Sequence, residues 1–295
     1  MAVAWRNDAG QGAEHSACLL ISCPDGPGIV AAVAGFLFAQ GANIVTSDQY
    51  STDPEQGTFF MRCSFYLPSI EQTRGGFEAA FGALAERFEM QWRISYAGDR
   101  RRVALMASRE DHCLMDLLWR ARRGELQMDV ACVISNHELS RAEVEALGVR
   151  YVHVPVPAGA RAEAEERALA ELAGNVELVV LARYMQILSG DFLQRVGCPV
   201  INIHHSFLPA FAGAEPYRQA YERGVKLIGA TAHYVTEQLD EGPIIEQDVQ
   251  RVGHRFTVAE LAHLGRDLER VVLARAVARE LEDRVIVHAG RTIVF

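Results

Sequence analysis

The chain has 295 residues, 49% of them hydrophobic and 23% charged, and a formal net charge of −9. That length exceeds one ordinary core and suits two domains, and the apolar content excludes a disordered chain. The negative charge argues against gripping nucleic-acid phosphates or anionic lipid, and a single lysine, Lys226, leaves little scope for Schiff-base or P-loop chemistry.

Residues 1–16 carry Arg6, Asp8 and Glu14 without an apolar run, so a polar tail is expected there and not a secretory signal. From Ala17 the pattern predicts strand (17–23), helix (27–40), strand (43–52), strand (57–67), helix (73–88) and strand (89–97). The turn cluster Asp53-Pro54-Glu55-Gln56 makes the two middle strands an antiparallel hairpin. This β-α-β-β-α-β order is the ferredoxin-like unit, with one sheet face on two helices. Its open face predicts a homo-oligomer. The longest nearly apolar run, Ile29 to Ala39, falls short of the ~20 residues of a membrane span, so no membrane partner is expected.

Gly98 to Arg102 reads as a polar linker, giving domains at 17–97 and 103–295. Beyond it, short apolar strands at 103–108, 129–135, 151–154, 177–182 and 200–203 alternate with helical stretches. Alternation of that kind predicts a Rossmann-like, mostly parallel α/β sheet. Two closely spaced strands follow, at 226–235 and 242–251, and then one long helix. Thr257-Val258-Ala259-Glu260 reads as its capping box, and Leu261, Leu264, Leu268 and Val272 as its buried stripe. The six cysteines form no C-x-x-C pair and are expected to be reduced thiols of a cytoplasmic protein.

Three stretches carry candidate chemistry. Asn202 and His204 end the strand at 200–203, at the edge where open α/β sheets bind ligands, and their i, i+2 spacing puts them on one face. An Asn-x-His pair also caps turns, and both readings stand on the residues alone. His204 and His205 are adjacent and point to opposite faces, which disfavours a shared metal. Leu239-Asp240-Glu241-Gly242-Pro243 is an acidic turn between two strands, and Leu181 to Leu188 covers a strand end and the start of a helical stretch.

Taken together, Asn-x-His-x-Ser-x-Leu-Pro at 202–209 and Leu-Asp-x-Gly-Pro at 239–243 resemble the signature of the folate-dependent formyltransferase fold. Ala182-Arg183-Tyr184-Met185-Gln186-Ile187-Leu188, His204 through Phe211, Ile134 through His137 and Gly224 through Tyr234 resemble its formyltetrahydrofolate deformylase branch. The resemblance implies an N-terminal ACT domain ahead of a formyltransferase-fold domain. It also implies hydrolysis of 10-formyltetrahydrofolate to formate and tetrahydrofolate, supplying formate for purine biosynthesis and balancing one-carbon pools.

By the same resemblance, Asn202, His204 and Asp240 are the catalytic residues. Met185, Gln186, Leu188, Ser206, Thr236 and Leu239 are the expected folate contacts, and neither metal nor cofactor is required. A partly buried Asp240 is expected to have a raised pKa. In the ACT domain, Asp25, Gly26, Gly28 and Asn43 are the expected site of a regulatory amino acid, with glycine and methionine as candidates. The turn opens a helix whose free N–H groups suit a carboxylate.

Two alternatives remain at this level: a formyltransferase acting on an amine acceptor, and a non-catalytic binder of folate and amino acids. The loop Ala107 to Cys113 has no glycine and two carboxylates, which argues against cradling a phosphorylated amine, although Arg109 offers an anion one partner. The net charge likewise argues against an RNA acceptor.

Overall fold

The structure, a computed structural model, describes residues 15–53, 55–209 and 216–295. Most of the expected N-terminal tail, Pro54 of the hairpin turn, and Ala210 and Phe211 of the motif lie outside the described residues. Spatial contacts divide the chain into a unit ending at Arg100 and a unit spanning Arg101–Val294.

The first unit runs β1 (Ser16–Pro24), α1 (Ile29–Ala39), β2 (Asn43–Ser51), β3 (Thr58–Tyr66), α2 (Ile70–Arg87) and β4 (Gln91–Tyr96). Its strands form an antiparallel sheet in the order β2-β3-β1-β4. Ser16, placed in the tail by sequence, opens β1 opposite Tyr66. Period-two alternation sends Leu19, Ile21, Met61, Cys63 and Phe65 to the helical side, where they meet Val33, Leu37, Phe77 and Phe81. Each buried ring contributes roughly 1.5–3 kcal/mol by leaving water. The helix α2 starts three residues before the expected Thr73 because Ile70 is fully buried in this core.

The second unit continues with β5 (Arg101–Ala107), α3 (His112–Arg122), β6 (Met128–Ser135), α4 (Arg141–Ala146), β7 (Tyr151–His153), α5 (Arg161–Leu172) and β8 (Leu178–Leu181). There follow α6 (Gly190–Val196), β9 (Val200–His204), α7 (Pro216–Glu222), β10 (Leu227–Tyr234), β11 (Ile244–Arg251) and α8 (Val258–Leu281). A hairpin, β12 (Val285–His288) with β13 (Arg291–Val294), ends the chain and was not expected from sequence. β5 begins inside the expected linker, because the Arg102 carbonyl accepts the Glu177 N–H at 2.8 Å and draws the segment into the sheet.

Seven strands lie in the order β11-β10-β9-β8-β5-β6-β7. The pairs from β7 through β9 are parallel, whereas β9–β10 and β10–β11 are antiparallel. Both faces are covered, so β5 is apolar from Val103 onward. Val103, Leu105 and Ala107 share a core with Leu114 and Leu117 of α3 and Val272 and Val277 of α8. Ala104 and Met106 pack with Leu169 and Leu172 of α5 and Phe192 of α6. The expected capping box holds, with the Glu260 N–H donating to Thr257 Oγ1 and the Thr257 N–H donating to the Glu260 carboxylate. From β5 the chain winds outward through β6 and β7, then crosses back to β8 and β9. The crevice between β5 and β8 is therefore the topological switch point. Among the described residues no helix is long and apolar enough to cross a membrane.

Candidate active site

Asn202 and His204 project from one face of the carboxyl end of β9. The antiparallel register sets His233 of β10 directly opposite Asn202 and Thr231 opposite His204. The Asn202 Nδ2 lies 3.3 Å from His233 Nε2, while His233 Nδ1 donates to the Tyr234 carbonyl at 2.8 Å. His233 was not singled out as a site residue from sequence. A signal existed, because Thr231 and His233 are polar residues alternating with Ala230 and Ala232 in a strand buried on both faces.

Asp240 reaches this pair from the loop between β10 and β11. Its Oδ2 lies 3.2 Å from His204 Nδ1 and its Oδ1 3.7 Å from His233 Nε2. Two features hold the loop. Asp240 adopts a left-handed conformation (φ 58°), which aspartate tolerates better than most residues. Gly242 runs so close to β10 that a Cβ there would lie 1.7 Å from the Tyr234 carbonyl oxygen. Only glycine fits.

The expected raised pKa of Asp240 is corrected by this geometry. The hydrogen bond from His204, aided by the His233 imidazole 3.7 Å away, holds the carboxyl well below the usual carboxylate range, outweighing burial. It therefore stays ionised through neutral pH. The carboxylate fixes the proton of His204 on Nδ1 in the neutral ring, and among the described residues His204 Nε2 is buried without a hydrogen-bond partner.

His205 differs from its neighbour. Burial pushes its pKa down to about 4, with Arg183 and His204 acting in the same direction. An unfolded chain takes up this proton near pH 6.5, the folded one only near 4, so the neutral ring's contribution is complete above 6.5. Across that window it is lost, amounting to about 3 kcal/mol at pH 4. In urea titrations at pH 7 and pH 4, His205→Gln is expected to lose about that much less stability than wild type. Equal losses would show the ring to be solvated.

A cavity of about 570 Å³, a size that suits a small organic ligand, opens beside these groups. Met185, Gln186, Leu188, Thr236 and Leu239, five of the expected folate contacts, line it together with Asn202, His204, His233 and Asp240. Ser206 does not. It is 4% exposed, lies outside the lining, and its carbonyl accepts the Thr231 hydroxyl at 2.9 Å. That threonine also accepts the Leu208 N–H and the Gln247 amide, so this face of β10 shapes the turn after His204. Met185, Ile187 and Leu239 are 57%, 56% and 62% exposed at the cavity, apolar surface that a bound ligand would cover.

Arg183, His205 and Tyr217 also line the cavity, and behind them sits Glu269 of α8, 1% exposed. Its oxygens accept from His112 Nε2 at 2.8 Å and Tyr217 Oη at 2.7 Å, with Arg183 Nε at 3.5 Å. Burial would raise its pKa, but those bonds and the Arg183 charge hold it below the ordinary value. His112, Cys113 and Glu269 place ligand atoms within 4.8 Å of one another. The set suits a cation poorly. Burial and Glu269 push the Cys113 thiol well up, and the Arg183 guanidinium already occupies the carboxylate's field. Glu269 was missed in sequence, although it stands between Gly265 and Val272 in the buried stripe Leu261, Gly265, Glu269, Val272, Ala276 of α8.

In the first unit, Gly28 caps α1 at φ 90°, a left-handed conformation that favours glycine. Asp25 accepts the Ser51 hydroxyl, and its N–H donates to the Gly57 carbonyl at 2.9 Å, tying the turn to the β2–β3 hairpin. Open space surrounds the position of a Cβ at Gly26, while Asn43 is exposed at the start of the edge strand β2.

Residues 101–277 match the formyl transferase family and residues 19–65 the ACT domain family. The chain is 59% identical over 278 residues to the formyltetrahydrofolate deformylase of Mycobacterium tuberculosis (strain ATCC 25618 / H37Rv), covering 94% of this chain and 90% of that protein. A formyltetrahydrofolate deformylase crystal structure from Burkholderia mallei ATCC 23344 superposes with a TM-score of 0.88 at 44% identity, covering 95% of this chain and 99% of that one. Glycinamide ribonucleotide transformylase 1 from Symbiobacterium toebii superposes with a TM-score of 0.60 at 32% identity, covering 66% of this chain and 94% of that one.

Proposed function

Because the chain belongs to the formyltetrahydrofolate deformylase family, we propose that it hydrolyses 10-formyltetrahydrofolate to formate and tetrahydrofolate, supplying formate for purine biosynthesis. The observation that carries the mechanism is His204 Nε2, without a hydrogen-bond partner among the described residues and buried beside an ionised Asp240 at an apolar cavity. Water attacking the formyl carbon drives negative charge onto the formyl oxygen. One Asn202 N–H faces His233, which leaves the other to donate to that oxygen, joined by His204 Nε2–H when the ring is protonated.

Asp240 starts the cycle without a proton, so it acts first as acceptor. It orients the water, takes its proton, and returns it to N10 as the carbon–nitrogen bond breaks. Met185, Gln186, Leu188, Thr236 and Leu239 bind the folate, and the exposed apolar chains among them cover one face of the pterin. Purified protein is expected to release formate and tetrahydrofolate in equal amounts. Formyl transfer to an added amine with no formate would favour the transferase reading instead.

The ACT unit takes a small regulatory amino acid, glycine or methionine, at the turn Asp25-Gly26-Pro27-Gly28, next to Asn43 in the sequence reading. A valine at Gly28 would strain the backbone at φ 90° whatever bound there, whereas Gly26 leaves room for a side chain. Gly26→Val is therefore expected to raise the effective amino-acid concentration at least ten-fold with an unchanged melting temperature. An unaltered response would place the effector elsewhere. The sheet of this unit ends in β2, where Val45 and Tyr50 are exposed, an edge suited to a homo-oligomer that light scattering would count. Six free cysteines fit a reducing cytoplasm.

A further inference from the structure

We propose that the buried Glu269 cluster is a specificity clamp that closes the attacking side of the formyl site to amines, so that only water reaches the formyl carbon. The inference rests on the hydrolase reading above and adds to it the reason that water prevails. The wall in question adjoins the reacting groups. The His204 and His205 rings lie 5.1 Å apart, the His205 and Tyr217 rings 6.3 Å apart, and Arg183 lines the same cavity.

One carboxylate binds three separate segments into that wall. His112 is the first residue of α3, at the end of the glycine-free loop after β5. Arg183 follows β8 in a left-handed conformation (φ 65°), and Tyr217 belongs to α7. Releasing Glu269 would free all three. Burying such a charge costs several kcal/mol before its partners are counted, and apolar replacements of buried ion pairs are often as stable. Stability alone therefore does not account for the cluster, whereas fixing the position of a wall does.

The helix α8 is also shaped for it. A Cβ on Gly265, one turn before Glu269, would lie 2.0 Å from Tyr217 Oη, so the glycine makes the notch in which the tyrosine lies. On the far side of His112, Glu110 lies 3.8 Å from Nδ1, keeping negative charge on the loop where a phosphorylated amine would have to enter. With the clamp shut, the nucleophile that fits is water. With it open, an amine nitrogen would attack the formyl carbon, the C–N10 bond would break, and the amine's proton would pass to N10 as tetrahydrofolate leaves.

The test is product partition. Wild type, Tyr217→Ala and Glu269→Gln are given 10-formyltetrahydrofolate labelled with ¹³C in the formyl group, with and without glycinamide, and formate and N-formylglycinamide are counted by NMR. Wild type is expected to make formate with only a trace of N-formylglycinamide, and each variant to raise the ratio of N-formylglycinamide to formate at least ten-fold. A purely structural defect lowers both products together and leaves that ratio unchanged. If Tyr217→Ala does not fold, the nearly isosteric Glu269→Gln decides. The proposal is overturned if wild type formylates glycinamide as readily as it makes formate, or if the folded variants keep the wild-type ratio. Absence of formate from wild type without glycinamide would overturn the hydrolase reading itself, and the two failures are thereby told apart.

Discussion

Asp240→Asn is expected to lower kcat for formate release by ~10²–10⁴-fold while KM changes little. The substitution keeps the size of the side chain and its ability to face His204 Nδ1 at 3.2 Å, so the loop and the cavity should survive. What disappears is the charge. In the native protein that carboxylate is held ionised by two imidazoles and can take the proton of the attacking water, whereas an amide cannot. Transfer of the formyl group to a strong amine nucleophile should suffer less, because an amine attacks without prior deprotonation. Formate release within a few-fold of wild type would remove Asp240 from the mechanism, and with it the route of the proton to N10.

Gly242→Ala should be nearly as damaging, although its side chain would touch no substrate. The added methyl would lie 1.7 Å from the Tyr234 carbonyl oxygen and 2.9 Å from its carbon, and that carbonyl accepts from His233 Nδ1. Backbone cannot yield there cheaply. The Tyr234 N–H also donates to the Pro243 carbonyl at 2.9 Å, so relief of the clash parts the loop from β10 and moves Asp240 relative to His233. Misplacement of a reacting group by about 1 Å typically costs ~10²-fold in rate, and overpacking costs ~1–3 kcal/mol in stability. Thermal melts and formate assays on one preparation would report both. A variant with native activity would mean that the close approach of Gly242 does not position the carboxylate.

Much of the fold was legible in the chain because it depends on local pattern. Alternating apolar residues, the break in pattern before Val103, and the capping box at Thr257 each act within a few residues. The i, i+2 relation of Asn202 and His204 is equally local, and the pleat delivers it in any strand. The β12–β13 hairpin was not legible: Val285 to Val294 is short and follows a helix whose end the sequence does not mark sharply.

The site divides along the same line. Nothing within β9 says that His233 lies opposite Asn202, because antiparallel register is set by how two distant strands meet across a buried face. The charge state of Asp240 was misjudged for a related reason. Burial of a carboxyl can be guessed from its surroundings in sequence, but the two imidazoles that reverse its effect arrive from β9 and β10. Ser206 lies inside the motif but outside the cavity lining, where its backbone carbonyl accepts the Thr231 hydroxyl. Glu269 meets His112, 157 residues away, and Tyr217, 52 residues away. The sequence by itself determined the two units, the order of their elements as far as the long helix α8, and the face that Asn202 and His204 share, all of which follow from period and local hydrogen bonding. Only the tertiary structure decided the charge on Asp240 and the partners of His233 and Glu269, because a hydrogen bond senses a few ångströms of space and takes no account of the length of chain between its ends.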